Sequence, residues 1–362
     1  MRSRVIAVGS TTHRNRIGRV FSLWLTAREA GLQFRYIGVD DGPMWEPLRE
    51  HEEFLADVRT GRDLADVERQ VAAAIGPDAT ILVCKPRPEL LALARKFTRS
   101  APVLVDIDDP ELLDPWGDST LLVRAKRVVR TGPSQFRFGW ARRAVTTMNV
   151  ITSNPLLQQL YGGGLVPHVR DAAPTPAPRP PKSDGFVVGF VGTIREHKGI
   201  TELRAAVAEL GQRHDVRLRI TAPAPPDARP WEDWVGHTTL AEGRSLLASC
   251  HATAIVSRPG VWGDLQLPVK LIDAMATGVP AVITARPPLL WAAGGSATVV
   301  RDDSVSDLTE ALALLAEDPG LGSALGAAAW RRALCTFTPA AAAPALDEAI
   351  EHAEAEHRRT RR

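Results

Sequence analysis

Two stretches in the second half of the chain carry cations, a carboxylate and glycines in an order suited to a phosphorylated ligand. The first is 186–199, Phe-Val-Val-Gly-Phe-Val-Gly-Thr-Ile-Arg-Glu-His-Lys-Gly. An apolar run ends at Gly192, a polar loop carries Arg195 and Lys198, and Gly199 opens a helical stripe. Backbone N–H groups at a helix start with two cations beside them make an anion site. The two cations could equally be solvated, with Glu196 as a partner, and the stretch alone does not choose. The second stretch is 268–280, Pro-Val-Lys-Leu-Ile-Asp-Ala-Met-Ala-Thr-Gly-Val-Pro. Pro268 suits the first helical position, Gly278 the left-handed position past the end, and Pro280 blocks continuation. Leu271, Ile272 and Met275 fall on one face; Lys270, Asp273 and Thr277 fall on another. A carboxylate is thereby held on a rigid helix whose start is partly positive. That suits a phosphate at Pro268 and a hydroxyl-rich group beside Asp273.

Other candidates lie in the first half. The loop Gly9-Ser-Thr-Thr-His-Arg-Asn-Arg-Ile-Gly18 carries His13, Arg14 and Arg16, cations for a phosphate or an anionic acceptor, or for solvent. Gly9 and Gly18 are too far apart for a dinucleotide fingerprint. Asp106-Ile107-Asp108-Asp109 places carboxylates at a strand end, where they could hold a hard cation, meet an acceptor, or cap a helix at Pro110. Lys85 follows another strand. His168 and Arg170-Asp171 sit where the first half ends, and a structural role there is the simpler reading. Trp262 could stack on a sugar or a base, although packing is the commoner fate of an indole.

These residues need elements to position them. In the first half, apolar runs at 5–9, 34–39, 80–84, 103–106 and 145–152 alternate with helical patterns at 17–30, 64–75, 88–97 and 121–130. Strands alternating with helices of this length imply parallel pairing and right-handed crossovers. Residues 171–185 hold five prolines and no large apolar side chain, the composition of an extended linker. The pattern then restarts, with strands expected at 186–191, 216–221, 254–257 and 281–284 and loops at 192–198 and 258–267. Thr239 and Glu242 are spaced as a capping box for a helix over 240–250. The expected organisation is two doubly wound Rossmann-like α/β domains facing each other across a cleft, over 1–170 and 186–340, with a terminal helix and basic tail at 341–362.

Length and composition agree: 362 residues suit two domains. A net charge of +2 with both signs abundant argues against a dedicated nucleic-acid binder. Cys84, Cys250 and Cys335 form no metal-spaced pair, which points to a reducing, cytoplasmic compartment. No apolar run reaches the roughly 18 residues of a membrane span. The basic 357–362 reads as a solvated tail, leaving a peripheral membrane contact as the alternative.

The pair Gly-Phe-Val-Gly-Thr-Ile-Arg-Glu-His-Lys-Gly and Leu-Pro-Val-Lys-Leu-Ile-Asp-Ala-Met-Ala-Thr-Gly-Val-Pro-Ala-Val resembles family 4 of the retaining GT-B glycosyltransferases, the glycosyl transferases group 1. The resemblance implies a metal-independent enzyme that moves a sugar from a nucleotide-diphosphate sugar to a hydroxyl or amine acceptor. No cofactor is implied, the nucleotide sugar being a substrate; the acceptor would be a small molecule, a glycan or a lipid-linked group. It also implies that Lys198, with Arg195, grips the diphosphate and that Asp273 binds the ribose. Gly192, Thr193, Leu267, Pro268 and Lys270 would complete the donor site. Gly9, His13, Arg14, Arg16, Lys85, Asp108 and Trp262 would be cleft or acceptor candidates. Three departures stand out. Asp273 replaces a glutamate, Thr193 an arginine, and Leu265 the acid expected eight residues before Asp273, with Asp264 one place out of register. The alternatives are a GT-B sugar-nucleotide epimerase and a sugar-nucleotide-binding protein without turnover.

Overall fold

A computed structural model describes residues 3–12, 15–113, 134–178, 180–181, 185–195, 198–301 and 304–362; the helix expected over 121–130, and His13 and Arg14, lie outside them. The chain divides into two compact units, one of Met1–Trp45, His51–Val169 and Pro339–Arg362, the other of Glu46–Glu50 and Arg170–Thr338.

The first unit holds seven strands: β1 (Arg4–Gly9), β2 (Gln33–Val39), β3 (Val58–Gly61), β4 (Ala79–Cys84), β5 (Val103–Ile107), β6 (Asn149–Thr152) and β7 (Gly164–Leu165). Their order is β3-β2-β1-β4-β5-β6-β7, every pair parallel. Burial of every residue of β4 and β5 explains their unbroken apolar runs, because helices cover both faces of a parallel sheet. The second unit repeats the plan with β8 (Phe186–Phe190), β9 (Val216–Ile220), β10 (Glu232–Trp234), β11 (Ala252–Ile255), β12 (Ala281–Thr284) and β13 (Thr298–Val300), in the order β10-β9-β8-β11-β12-β13. In each sheet the chain reverses direction of travel once, between β1 and β4 and between β8 and β11. Such a reversal opens a crevice beyond the strands' carboxyl ends.

Several details depart from expectation. The strands β3, β7, β10 and β13 are too short for an alternation to register. The stretch expected as a strand from 145 instead ends the helix Ser134–Val145, and β6 begins at Asn149. The loop expected over 258–267 contains the short helix Val261–Leu265. The last helix, Pro339–Thr360, belongs to the first unit, where it packs along the helix Ile17–Glu29; its final turn carries the basic His357, Arg358 and Arg359. No helix among the described residues is long and apolar enough to cross a membrane. The capping box at Thr239 and Glu242 is formed.

The helix Val269–Thr277 carries two of the donor-site candidates, Lys270 and Asp273. Pro268 is its cap in extended geometry (φ −67°, ψ 119°) rather than its first helical residue, and Gly278 ends it in the left-handed region at φ 76°. Residues 270–277 are all buried, so no face is left to solvent. The reason is packing from two sides: helix Leu240–Ala248 lies on one and helix Pro319–Thr336 on another. At the second contact a Cβ on Gly326 would lie 2.1 Å from the Gly278 carbonyl oxygen, which is backbone and has little room to yield. Gly326→Ala should therefore lower the unfolding free energy of the protein by about 1–3 kcal/mol, read as a drop in the denaturant midpoint at unchanged slope. A neutral or stabilising result would mean that this contact is looser than described.

Candidate functional site

The site in the second unit is assembled at the carboxyl end of β8. After Phe190 the chain turns through Gly192, whose φ of 124° disfavours any side chain, and whose N–H donates to the Thr221 hydroxyl at 2.8 Å. Thr193 and Arg195 are exposed on the loop beyond it. Lys198 turns inward. Its backbone N–H donates to the Arg195 carbonyl at 2.9 Å, and its amine donates to Gln266 Oε1 at 2.8 Å. Gln266, from the segment joining the two helices at Val261–Leu265 and Val269–Thr277, was not singled out by the sequence. A neutral amide 68 residues away carries no pattern that would mark it.

Lys270 lies on the first turn of the helix Val269–Thr277, with Leu267 and Pro268 buried before it. It keeps 9% exposure, and its amine sits 3.9 Å from the centroid of the Phe190 ring with no hydrogen-bond partner. Burial, and then the charge on Lys198, push this amine well below its usual range. Lys198 and Lys270 are thus brought together at a helix start, the arrangement an anion requires. Asp273, also 9% exposed, accepts from Arg170 Nε at 2.6 Å. The carboxylate expected to face a ribose is therefore already oriented by a buried guanidinium from 103 residues upstream. Arg170, read from the sequence as structural, is a direct neighbour of the site. Asp264, one place from Leu265, is tied to Arg286 at 2.7 Å. Trp262 lies half-buried in the short helix beside it.

In the first unit the candidates gather at the carboxyl ends of β1, β4 and β5. Arg19, fully buried, grips Asp106 with Nε and Nη2 at 3.1 and 2.7 Å and reaches the Val166 carbonyl at 2.7 Å. Lys85 is the one non-glycine residue at positive φ (66°) among the described residues. Its amine donates to Asp108 at 2.8 Å and to Asp109 at 2.5 Å, and His168 stands 4.0 Å from Asp108. Of the three aspartates in the Asp-x-Asp-Asp run, Asp106 is thus paired with Arg19, while Asp108 and Asp109 share Lys85. Asp109 turns to Lys85 and makes no side-chain cap for the turn at Pro110–Leu112. Arg16 faces Glu111 at 3.6 Å. Gly9 has a packing role: a Cβ there would meet the Tyr36 hydroxyl, which donates to the Thr11 carbonyl.

One lysine between two carboxylates leaves one negative charge in excess. Burial first, and repulsion by Asp109 next, push the Asp108 carboxyl up to about 7, against the pull of Lys85. Burial opposes the charge on Lys85 as well, yet Asp108 and Asp109 hold its amine above the usual range. Proton binding sets the sign for stability: between about pH 4 and 7 the folded protein holds a proton at Asp108 that the unfolded chain releases. That contribution is present at low pH and is lost as pH rises through 7. The stability of wild type minus that of Asp108→Asn should accordingly fall from pH 5 to pH 8 in parallel denaturant titrations. A difference that rises with pH would reverse the assignment.

Residues 185–318 match the profile of the family described as glycosyl transferases group 1. No curated protein matches the chain by sequence. Among solved structures, sucrose-phosphate synthase from Thermosynechococcus elongatus superposes with a TM-score of 0.71 at 13% identity, covering 98% of this chain and 100% of that one. Anabaena HepE in complex with UDP-glucose gives 0.71 at 14% identity, covering 96% and 99%. A glycosyltransferase from Rickettsia africae gives 0.66 at 10%, covering 97% and 98%. At these identities the likeness speaks for the fold: two parallel-sheet α/β units shared with glycosyltransferases of the GT-B class. Residues 185–318 are thus similar to the glycosyl transferases group 1, in a chain whose two parallel-sheet units have the GT-B fold.

Proposed function

We propose that the protein is a retaining glycosyltransferase that uses a nucleotide-diphosphate sugar, and that Lys198, Lys270 and the start of helix Val269–Thr277 bind the diphosphate. The carrying observation is the pair of lysines buried at a helix start beyond β8. A dianionic diphosphate is the ligand whose charge and size match two cations and a helix N-terminus. Asp273, oriented by Arg170, is assigned to a ribose hydroxyl. Arg195, on the exposed part of the loop, is assigned with Lys198 to the phosphate oxygens that gain charge as the sugar leaves. UDP is the base to test first, because HepE binds UDP-glucose.

In this reading the acceptor hydroxyl attacks the anomeric carbon from the face the diphosphate departs. The carbon–oxygen bond to the phosphate breaks, and the leaving phosphate oxygen takes the acceptor's proton. Lys198 and Lys270 stabilise the departing charge, so no metal is assigned to the reaction. The acceptor is assigned to the strand-end cluster of the first unit, with Lys85, Asp108 and Arg16 as its polar groups.

A second reading is favoured by one observation. Leu265 occupies the place of the acid that would orient the transferred sugar, and the adjacent Asp264 is committed to Arg286. A protein that binds the nucleotide sugar without turning it over would show this pattern. A thermal-shift and nucleotide-release panel of UDP-, GDP-, ADP- and dTDP-sugars separates the readings. Transfer or hydrolysis releases a nucleoside diphosphate, whereas a binder is stabilised and releases none. Lys198→Ala should weaken binding of the active sugar nucleotide by about 10- to 100-fold, the cost of one charged hydrogen bond. Stabilisation by none of the four, or an unaffected Lys198→Ala, would overturn the site.

A further inference from the structure

The two lysines of this site are not equivalent. Lys198 is held by a hydrogen bond to Gln266 at 2.8 Å. Lys270 is buried to the same degree, yet its amine meets the face of Phe190 and no hydrogen-bond acceptor. The acidic groups on the surrounding elements are engaged elsewhere. Asp273 on the same helix is bound to Arg170, and Asp264 on the preceding helix to Arg286. Glu202 on helix Ile200–Leu210 is bound to Arg258, and Glu242 on helix Leu240–Ala248 closes its own cap. Among the described residues the charged group acting on Lys270 is Lys198, and it is repulsive. A buried ammonium so placed loses its hydration with only a ring face in return, and the neutral amine is the form this environment favours. A diphosphate reverses that balance, because it brings acceptor oxygens and negative charge to the place where both are missing.

We propose that Lys270 is the proton-linked half of the diphosphate clamp: its amine is neutral in the empty site and takes one proton from solvent as the nucleoside diphosphate binds. This rests on the donor assignment above and adds to it. The group that will neutralise the leaving diphosphate acquires its charge only when the donor is in place. The bond formed is N–H on Nζ, and the proton comes from water or buffer, with no other reactant. Helix packing keeps the amine where it is, since residues 270–277 are buried on every side.

The test is calorimetric titration of the full chain with UDP, GDP, ADP and dTDP at pH 8, where the free nucleotides hold no titrating phosphate proton. Each titration is run in HEPES and again in Tris, whose ionisation enthalpies differ. For the nucleotide that binds, wild type should take up close to one proton. Lys270→Met should take up close to none and bind at least tenfold more weakly. Because methionine fills the same apolar surroundings without an amine, Lys270→Met should also melt at a higher temperature than wild type at neutral pH. Binding without proton uptake, or a Lys270→Met variant that binds like wild type or melts lower, would overturn the proposal and leave the Lys198 site standing. Binding of none of the four nucleotides would remove the donor assignment itself, and the proposal with it.

Discussion

The second unit depends on holding cationic groups inside a protein where water cannot solvate them. Lys198 and Lys270 are both nine-tenths buried, and the charge of one bears on the other. Like charges in a low-dielectric interior repel several-fold more strongly than in water, which favours the neutral form of Lys270 while the site is empty. The arrangement persists because everything around it is fixed. Gly192 turns the chain off β8, Gln266 holds one amine, and Phe190 lies under the other. The helix that carries Lys270 is pinned between two others, with Gly326 allowing the closest approach. This is stability given up at a site, of the kind expected where a ligand supplies the missing partner.

The first unit handles buried charge in the opposite way. Arg19 and Asp106 are matched with near-bidentate geometry, and Lys85 bridges Asp108 and Asp109. These pairs close the carboxyl ends of β1, β4 and β5 with internal partners. Buried pairs of this sort contribute little net stability, but losing one member leaves an uncompensated charge. Their present value is positional: they fix the loops at the crevice of the first sheet. Within this cluster the Asp108 carboxyl is pushed up to about 7, so its charge changes near neutral pH.

The region around Leu265 shows how a local pattern can be rewired. An acid is present at Asp264, yet its side chain meets Arg286 and helps hold the short helix Val261–Leu265 against Pro287–Ala293. A shift of one residue on a helix turns a side chain by about 100°. The carboxylate is thereby used for packing two helices together, and the position that would face the ligand is apolar.

The amino-acid sequence by itself determined the alternation of parallel strands and helices, the two sheets, the Gly192–Lys198 loop and the helix ended by Gly278. These depend on short-range periodicity, backbone-restricting residues and helix caps, which act within a few positions. It also marked Lys198, Lys270 and Asp273 as a group, because two spaced motifs carried them. The tertiary structure alone decided what each of those side chains touches. Gln266 reaches Lys198 across 68 residues, Arg170 reaches Asp273 across 103, and Arg19 reaches Asp106 across 87. It also decided that the final helix joins the first unit and that the helix at 269–277 is buried all round. Partnerships over such distances are set by how sheets and helices stack, and burial on every side arises only when neighbours close over a helix whose own sequence is amphipathic. Whether a lysine meets a carboxylate, an amide or a ring is settled by that packing, and so is the charge it can carry.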